Sequence, residues 1–195
     1  MAWSPDSTSL MLFFLNNSWS FSVTSITNIK FWGLIKLMSY YDDIAEGYDE
    51  LHGSEQLAKL KIIAQYLQIN KDTKLLDIGC GTGLSARVFD CNITGVDPAE
   101  KLLANCPFKT VKACAEKLPF SDNEFDVVIA VTSIHNFNDI EKGLKEIRRV
   151  GKNIFALTVL KKSGNKDKIL ILISQLFSNV RFLDVDAFDL ICFCE

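Results

Sequence analysis

From Lys74 onward the chain alternates short apolar or β-branched runs with helical segments, and that rhythm admits few folds. Lys74–Ile78, Ile93–Val96, Thr110–Ala113, Phe125–Thr132 and Asn153–Leu160 read as strands. Gly83–Phe89, Pro98–Leu103, Asp139–Val150 and Lys168–Phe177 read as helices between or after them. Strands joined through helical crossovers run parallel. Phe125–Thr132 is too apolar to have a wetted face, so helices are expected on both sides of the sheet. The expected class is α/β, a doubly wound, mostly parallel sheet. Val180–Val185 and Phe188–Cys194 close the chain as two strands with a very short link between them, which forces them antiparallel. Ahead of the first strand, Leu57, Leu60, Ile63 and Leu67 recur at helical spacing within Ser54–Ile69, and Asn70-Lys71-Asp72 ends that helix. Pro98 suits a first helical position, where its missing N–H is harmless, and Asp139 suits an N-cap.

A length of 195 residues, 48% of them hydrophobic and 23% charged, describes one globular domain. The net charge of -3 argues against a basic coat, though not against a local basic patch. Six cysteines lie scattered with no C-x-x-C pair, and His52 and His135 are the only histidines. No metal site is therefore expected, and the thiols read as buried residues of a reducing cytoplasm. Residues 1–37 differ in composition, being rich in Ser, Thr, Asn and aromatics. Their longest apolar run, Leu10–Leu15, is far short of the roughly 20 residues a membrane span needs. They also lack the basic start of a secretory signal, since the first basic residue is Lys30. The expectation is that Met38 is the start and 1–37 an upstream extension, the alternative being a tail that binds a partner. The domain proper is then 38–195.

"LLDIGCGTGLS", Leu75–Ser85, leaves the first strand, which is where doubly wound folds bind ligands. Gly79, Gly81 and Gly83 would let a backbone approach a ligand closely. A dinucleotide fingerprint needs a third glycine where Leu84 stands, and a phosphate loop needs Gly-Lys-Ser/Thr. Asp77 would repel a pyrophosphate but attract an ammonium group. Asp97 follows at the end of the second strand, at the distance from the glycines where a carboxylate accepts from ribose hydroxyls. A ribose with a cationic amino group and no phosphate describes S-adenosylmethionine.

"LLDIGCGTG", "ITGVDPAEKLL", "AEKLPFSDNEFDVVIA" and "DIEKGLKEIRRV", in that order, resemble successive motifs of class I S-adenosylmethionine-dependent methyltransferases. The motifs are close to those of the quinone-biosynthesis type, and the likeness runs from about Tyr40 to the end. It implies a Rossmann-like seven-stranded sheet with a reversed final strand. It also implies that Asp77 and the backbone of Gly79, Gly81 and Gly83 hold the methionine part and Asp97 the ribose. Ala115 N–H would face the adenine, with Pro98 nearby. Cys114 stands where the resembling motif carries an Asp for the adenine amino group, so recognition there must lean on backbone groups or Glu116.

Methyl transfer from a sulfonium depends mainly on positioning the nucleophile. The acidic, tyrosine-bearing stretch Tyr40–Leu51 is expected to fold over the cofactor, with Tyr48 lining it; an ordinary solvated helix face is the alternative. His135, in "VTSIHNF" after the fourth strand, is the candidate base where the acceptor must lose a proton, and otherwise shapes the site. Basic residues crowd the stretch from Lys142 to Lys168. The lysines of "KKSGNKDK" fall at the ligand rim, which favours an anionic acceptor such as RNA. The chain has no insertion of the kind that builds a lid, which suits a large acceptor or a partner that supplies cover. "LLDIGCGTGLS" also resembles the small-subunit rRNA guanine-N7 methyltransferases, which implies a small zinc-ribbon activator docked on an edge strand, here Thr110–Ala113. Lys109 and Lys112 would equally serve to protect such an edge. The expected function is methylation of RNA or another translation component. The alternatives are a quinone-type small-molecule methyltransferase and a catalytically silent S-adenosylmethionine-binding subunit.

Overall fold

A computed structural model describes residues 47–184 and 186–195, all within the unit Lys36–Glu195. The proposed start at Met38 and the extension 1–37 lie outside the described residues.

Helix α1 (Tyr48–Tyr66) comes first. It starts earlier than the expected Ser54, because Asp49 and Glu50 place negative charge against the helix N-terminus. The turn after it is held by Asn70, whose Oδ1 accepts from Asp72 N at 2.9 Å, a side-chain bond typical of asparagine in turns. Strands β1 (Lys74–Ile78), β2 (Asn92–Asp97), β3 (Lys109–Lys112), β4 (Phe125–Ala130) and β5 (Gly151–Leu160) pair in parallel. The last two, β6 (Arg181–Leu183) and β7 (Asp189–Cys194), are antiparallel to each other, and β7 also runs against β5. The sheet has seven strands in the order β3-β2-β1-β4-β5-β7-β6, as the family resemblance implied.

Between the strands lie α2 (Glu100–Leu103), α3 (Ile140–Val150) and α4 (Lys166–Leu176). Two expectations are corrected here. Gly83–Phe89 forms only a 3₁₀ turn, Leu84–Arg87, since the left-handed Gly83 sets its start. Pro98 is not the first residue of α2, because Ala99 caps that helix and Asp97 takes up the chain ahead of it. Asp139 does cap α3, accepting from Lys142 N at 3.2 Å.

Side chains alternate across the strands, and each face meets its own apolar cluster. Leu75, Val127, Ile129 and Ala156 pack with Leu60 and Ile63 of α1. Leu76, Val128, Phe155 and Leu157 pack on the other face with Leu144 and Ile147 of α3 and Ile169 and Ile173 of α4. Full burial of a Leu or Ile side chain stabilises by about 1.5–3 kcal/mol, so continuous apolar runs are what a two-sided sheet requires. Asp77 at the end of β1 pairs with Gly95 and Ile129, so the carboxyl ends of β1, β2 and β4 open on one rim.

Candidate active site

The glycine loop turns back over the end of β2. Gly79 N and Cys80 N both donate to Val96 O, at 2.7 and 3.2 Å. Gly79 and Gly83 have φ of +74° and +82°, which an L side chain adopts only under strain. A Cβ on Gly79 would also lie 2.4 Å from Ser133 Cβ, so the loop can approach the end of β4 only with glycine there.

Asp77 and Asp97 stand beneath this loop, buried. Ser85 Oγ donates to Asp77 Oδ2 at 2.6 Å. Burial pushes the Asp77 carboxyl up to about 7; the Ser85 bond opposes this and the Asp97 charge adds to it, the ordinary directions of those three effects. Asp97 accepts from Gly81 N at 3.0 Å through Oδ2 and from Ala99 N at 2.8 Å through Oδ1, so it holds the loop as well as facing the rim. A cavity of about 40 Å³ borders Asp77, Gly79, Gly81, Gln56, Leu60 and Val131. It has room for an ammonium-sized group, not for a nucleoside. A raised, desolvated carboxyl beside a small cavity and glycine backbone fits the cationic amino end of S-adenosylmethionine, because a cation there restores the charge that burial opposes.

Ala115 is buried and Pro98 and Cys114 half-buried at the same rim. Burial, then the charges of Glu116 and Asp97, raise the Cys114 thiol, keeping it neutral. Glu116, one of the two alternatives for the adenine, has one carboxylate oxygen engaged elsewhere. Its Oε1 accepts from Asn138 N at 2.6 Å and Asp139 N at 3.2 Å at the start of α3. The start of α1 meets the loop from above, where Thr82 Oγ1 donates to Asp49 Oδ1 at 2.6 Å. Residues 40–46 and the Tyr48 side chain, the rest of the expected cover, lie outside the described residues.

His135 sits in the 3₁₀ turn Ile134–Asn136 beyond β4, and burial lowers its pKa, with Asp189 opposing and Lys59 adding to the fall. The structure surrounds it with residues the sequence reading missed. Lys59 and Asp189 are fully buried, with Lys59 Nζ 3.0 Å from Asp189 Oδ2 and also bonded to Glu55. Thr132 Oγ1 donates to Asp189 Oδ2 at 2.6 Å, and Thr158 Oγ1 does so at 3.0 Å. One signal was present. Lys59 lies one helical turn before Ile63, on the apolar stripe of its helix.

Part of the basic stretch is paired, some of it by carboxylates from other elements. Arg149 pairs with Asp122 and Glu146, Lys152 with Asp126, Lys145 with Glu141, and Lys161 with Asp184. Lys162 and Lys168 stay exposed. Among the described residues strand β3 is a sheet edge, pairing only with β2. Among the described residues no helix is long and apolar enough to cross a membrane.

The family model described as a methyltransferase domain matches residues 76–154. A demethylmenaquinone methyltransferase of Thermotoga maritima is 31% identical over 138 residues, covering 63% of this chain and 60% of that protein. The chain spans about half the length of the curated relatives it matches. An S-adenosylmethionine-dependent methyltransferase structure from Aquifex aeolicus superposes with a TM-score of 0.66 at 15% identity, covering 78% of this chain and 97% of that one. A Haloferax volcanii structure, of a methyltransferase in complex with the Trm112 methyltransferase activator, gives 0.67 at 14% identity, covering 79% and 96%. Residues 76–154 thus match a methyltransferase domain, and the chain has the fold of S-adenosylmethionine-dependent methyltransferases.

Proposed function

We propose that this chain is an S-adenosylmethionine-dependent methyltransferase acting on RNA or another component of translation. The observation that carries the methyl-donor part is Asp77. It is a buried carboxyl held near neutrality, bonded to Ser85 and set against backbone that only glycines can supply. Asp77 and the Gly79–Gly83 backbone take the amino-acid end, Asp97 the ribose, and Pro98, Cys114 and Ala115 the adenine side. Tyr48 and the start of α1 cover them. When bound, the cofactor supplies an electrophilic methyl on a sulfonium, and the protein's task is to hold an acceptor in line with it. His135, at the same rim, is the group that would take a proton from an acceptor that must lose one.

For the acceptor, two features favour a macromolecule that brings its own cover. Among the described residues no insertion follows β5, and the exposed Lys162 and Lys168 stand at the rim. The open β3 edge suits a small zinc-ribbon activator pairing as an added strand, and the similar Haloferax volcanii methyltransferase was solved with an activator. Six free cysteines fit a reducing cytoplasm.

A quinone precursor is the second reading, favoured by the Thermotoga maritima relative and by the pairing of part of the basic stretch. Radiolabelled S-adenosylmethionine incubated with the protein and fractionated cell extract, with and without partner proteins, tests both. Label in RNA or ribosomal fractions is the expected result. Label confined to small lipid-soluble molecules sinks the RNA reading, and cofactor binding without transfer to any fraction indicates a silent subunit.

A further inference from the structure

Asp189 is the first residue of β7. Because β7 runs against β5, it stands opposite Leu160, at the rim where the parallel strands end. Its side chain is wholly buried, yet its two oxygens differ. Oδ2 accepts from Lys59, Thr132 and Thr158. Oδ1 is buried with no hydrogen-bond partner among the described residues, and His135 Nδ1 is in the same state. A buried polar atom without a partner forfeits the hydrogen bonds it made to water, so native proteins leave few of them. Two lie here, on residues close enough for Asp189 to influence the His135 charge.

Backbone strain marks the same spot. Thr132 has a positive φ of 52 degrees, a left-handed conformation unusual for a β-branched residue. It lets Thr132 Oγ1 reach Asp189 while the next residue, Ser133, packs against Gly79 and donates to Ile78 O at 2.8 Å. Two adjacent residues thereby connect the glycine loop to Asp189. Gln56 makes the same junction from α1, bordering the Asp77 cavity and lying 3.2 Å from Thr132 Oγ1.

We propose that Asp189 Oδ1 and His135 Nδ1 are the acceptor-binding groups, and that they take an uncharged group that both donates and accepts a hydrogen bond, an N–H or O–H nucleophile. Asp189 Oδ1 can only accept, so the ligand must bring a proton. Neutral His135 Nδ1 meets either a donor or a lone pair according to its tautomer. Lys59 sits on Asp189 Oδ2 and is shared with Glu55, so an anionic acceptor would be desolvated with no free counter-charge, and a cationic one at Oδ1 would approach the Lys59 ammonium. The inference rests on the methyl-donor reading, since the donor loop alongside is what makes the bound group an acceptor.

Neutral imidazole has both features and serves as the probe, titrated at mildly alkaline pH into protein carrying ¹⁵N-labelled histidines. The expected result is a saturable shift of the His135 ring resonances, with those of His52 unmoved. Asp189→Asn removes the charged acceptor and should weaken imidazole binding about tenfold or more, the effect of one hydrogen bond to a charged group. Because that change strands Lys59, Lys59→Met with Asp189→Asn is the second variant and should show the same loss. No saturable shift in the wild type, or equal affinity in both variants and the wild type, overturns the proposal. Calorimetry with S-adenosylmethionine separates this from the donor reading. The variants should bind it within about twofold of wild type, whereas a wild type that binds none defeats the donor reading alone.

Discussion

Lys59 Nζ lies 3.0 Å from Asp189 Oδ2, with both side chains excluded from solvent, so α1 is tied to the start of the last strand by a buried ion pair. Removing one partner leaves the other charge buried and unpaired, at a loss of about 3–5 kcal/mol. Lys59→Met should therefore unfold at markedly lower denaturant. A double-mutant cycle with Asp189→Leu should return a coupling of about 2 kcal/mol or more. Additive losses would mean that the two charges do not depend on each other.

Asp77 should make the ligand-free protein less stable as pH rises. Its carboxyl is raised from 3.8 to about 7, so the folded state holds a proton that the unfolded chain releases between those values. The contribution is complete below the unfolded value and is lost as pH climbs through about 7. Asp77→Asn removes this dependence. The variant's melting temperature relative to wild type should rise from acidic to mildly alkaline pH, and a flat difference would contradict the assignment.

The same carboxyl is the proposed anchor for the amino end of the methyl donor. Asp77→Ala should abolish S-adenosylmethionine binding by calorimetry while leaving the far-ultraviolet circular dichroism unchanged. Ser85→Ala removes the bond that favours the charged form of Asp77. It should weaken binding by about tenfold. Undiminished affinity in Asp77→Ala would remove the basis of the donor site.

Gly83→Ala combines two penalties. The residue sits at φ +82°, and an added Cβ would lie 2.5 Å from Cys106 Sγ and 2.7 Å from Pro107 Cδ. A loss of about 2 kcal/mol or more in unfolding free energy is expected. Gly164→Ala, with open space around the added Cβ, should be nearly neutral in the same assay.

On the other face of the sheet, Leu144 is fully buried between α3 and the strands. Leu144→Ala should cost about 3 kcal/mol by chemical denaturation, with donor binding retained in the folded fraction.

Much of the fold and the donor half of the site could be read along the chain, because both depend on neighbours in sequence. Strand runs such as Val127–Val131 declare burial through unbroken apolar character. The loop gathers Asp77 and its glycines into one short run, 77 to 83. Even the length of the turn after Gly83 was less legible, since the left-handed glycine and its packing against Cys106 reduce it to a 3₁₀ turn. Glu116 read as free for an adenine, but its partners are backbone groups that approach only when α3 docks. The basic stretch read as open charge for the same reason: Asp122 and Asp126 reach Arg149 and Lys152, and Asp184 reaches Lys161 at the rim, from other elements.

Sequence alone determined the doubly wound architecture and the reversed last strand, through periodicity and turn chemistry, and one short motif carries the proposed methyl-donor site. Only the tertiary structure decided what gathers at the rim beside that loop. Lys59, Thr132, Thr158 and Asp189 come from a helix, a loop and two strands, and Lys59 and Asp189 lie near opposite ends of the domain's sequence. No local pattern links them. They meet because β7 inserts beside β5 with its first residue at the rim, where a buried carboxylate needs a cation and Lys59, shared with Glu55 of its own helix, supplies it.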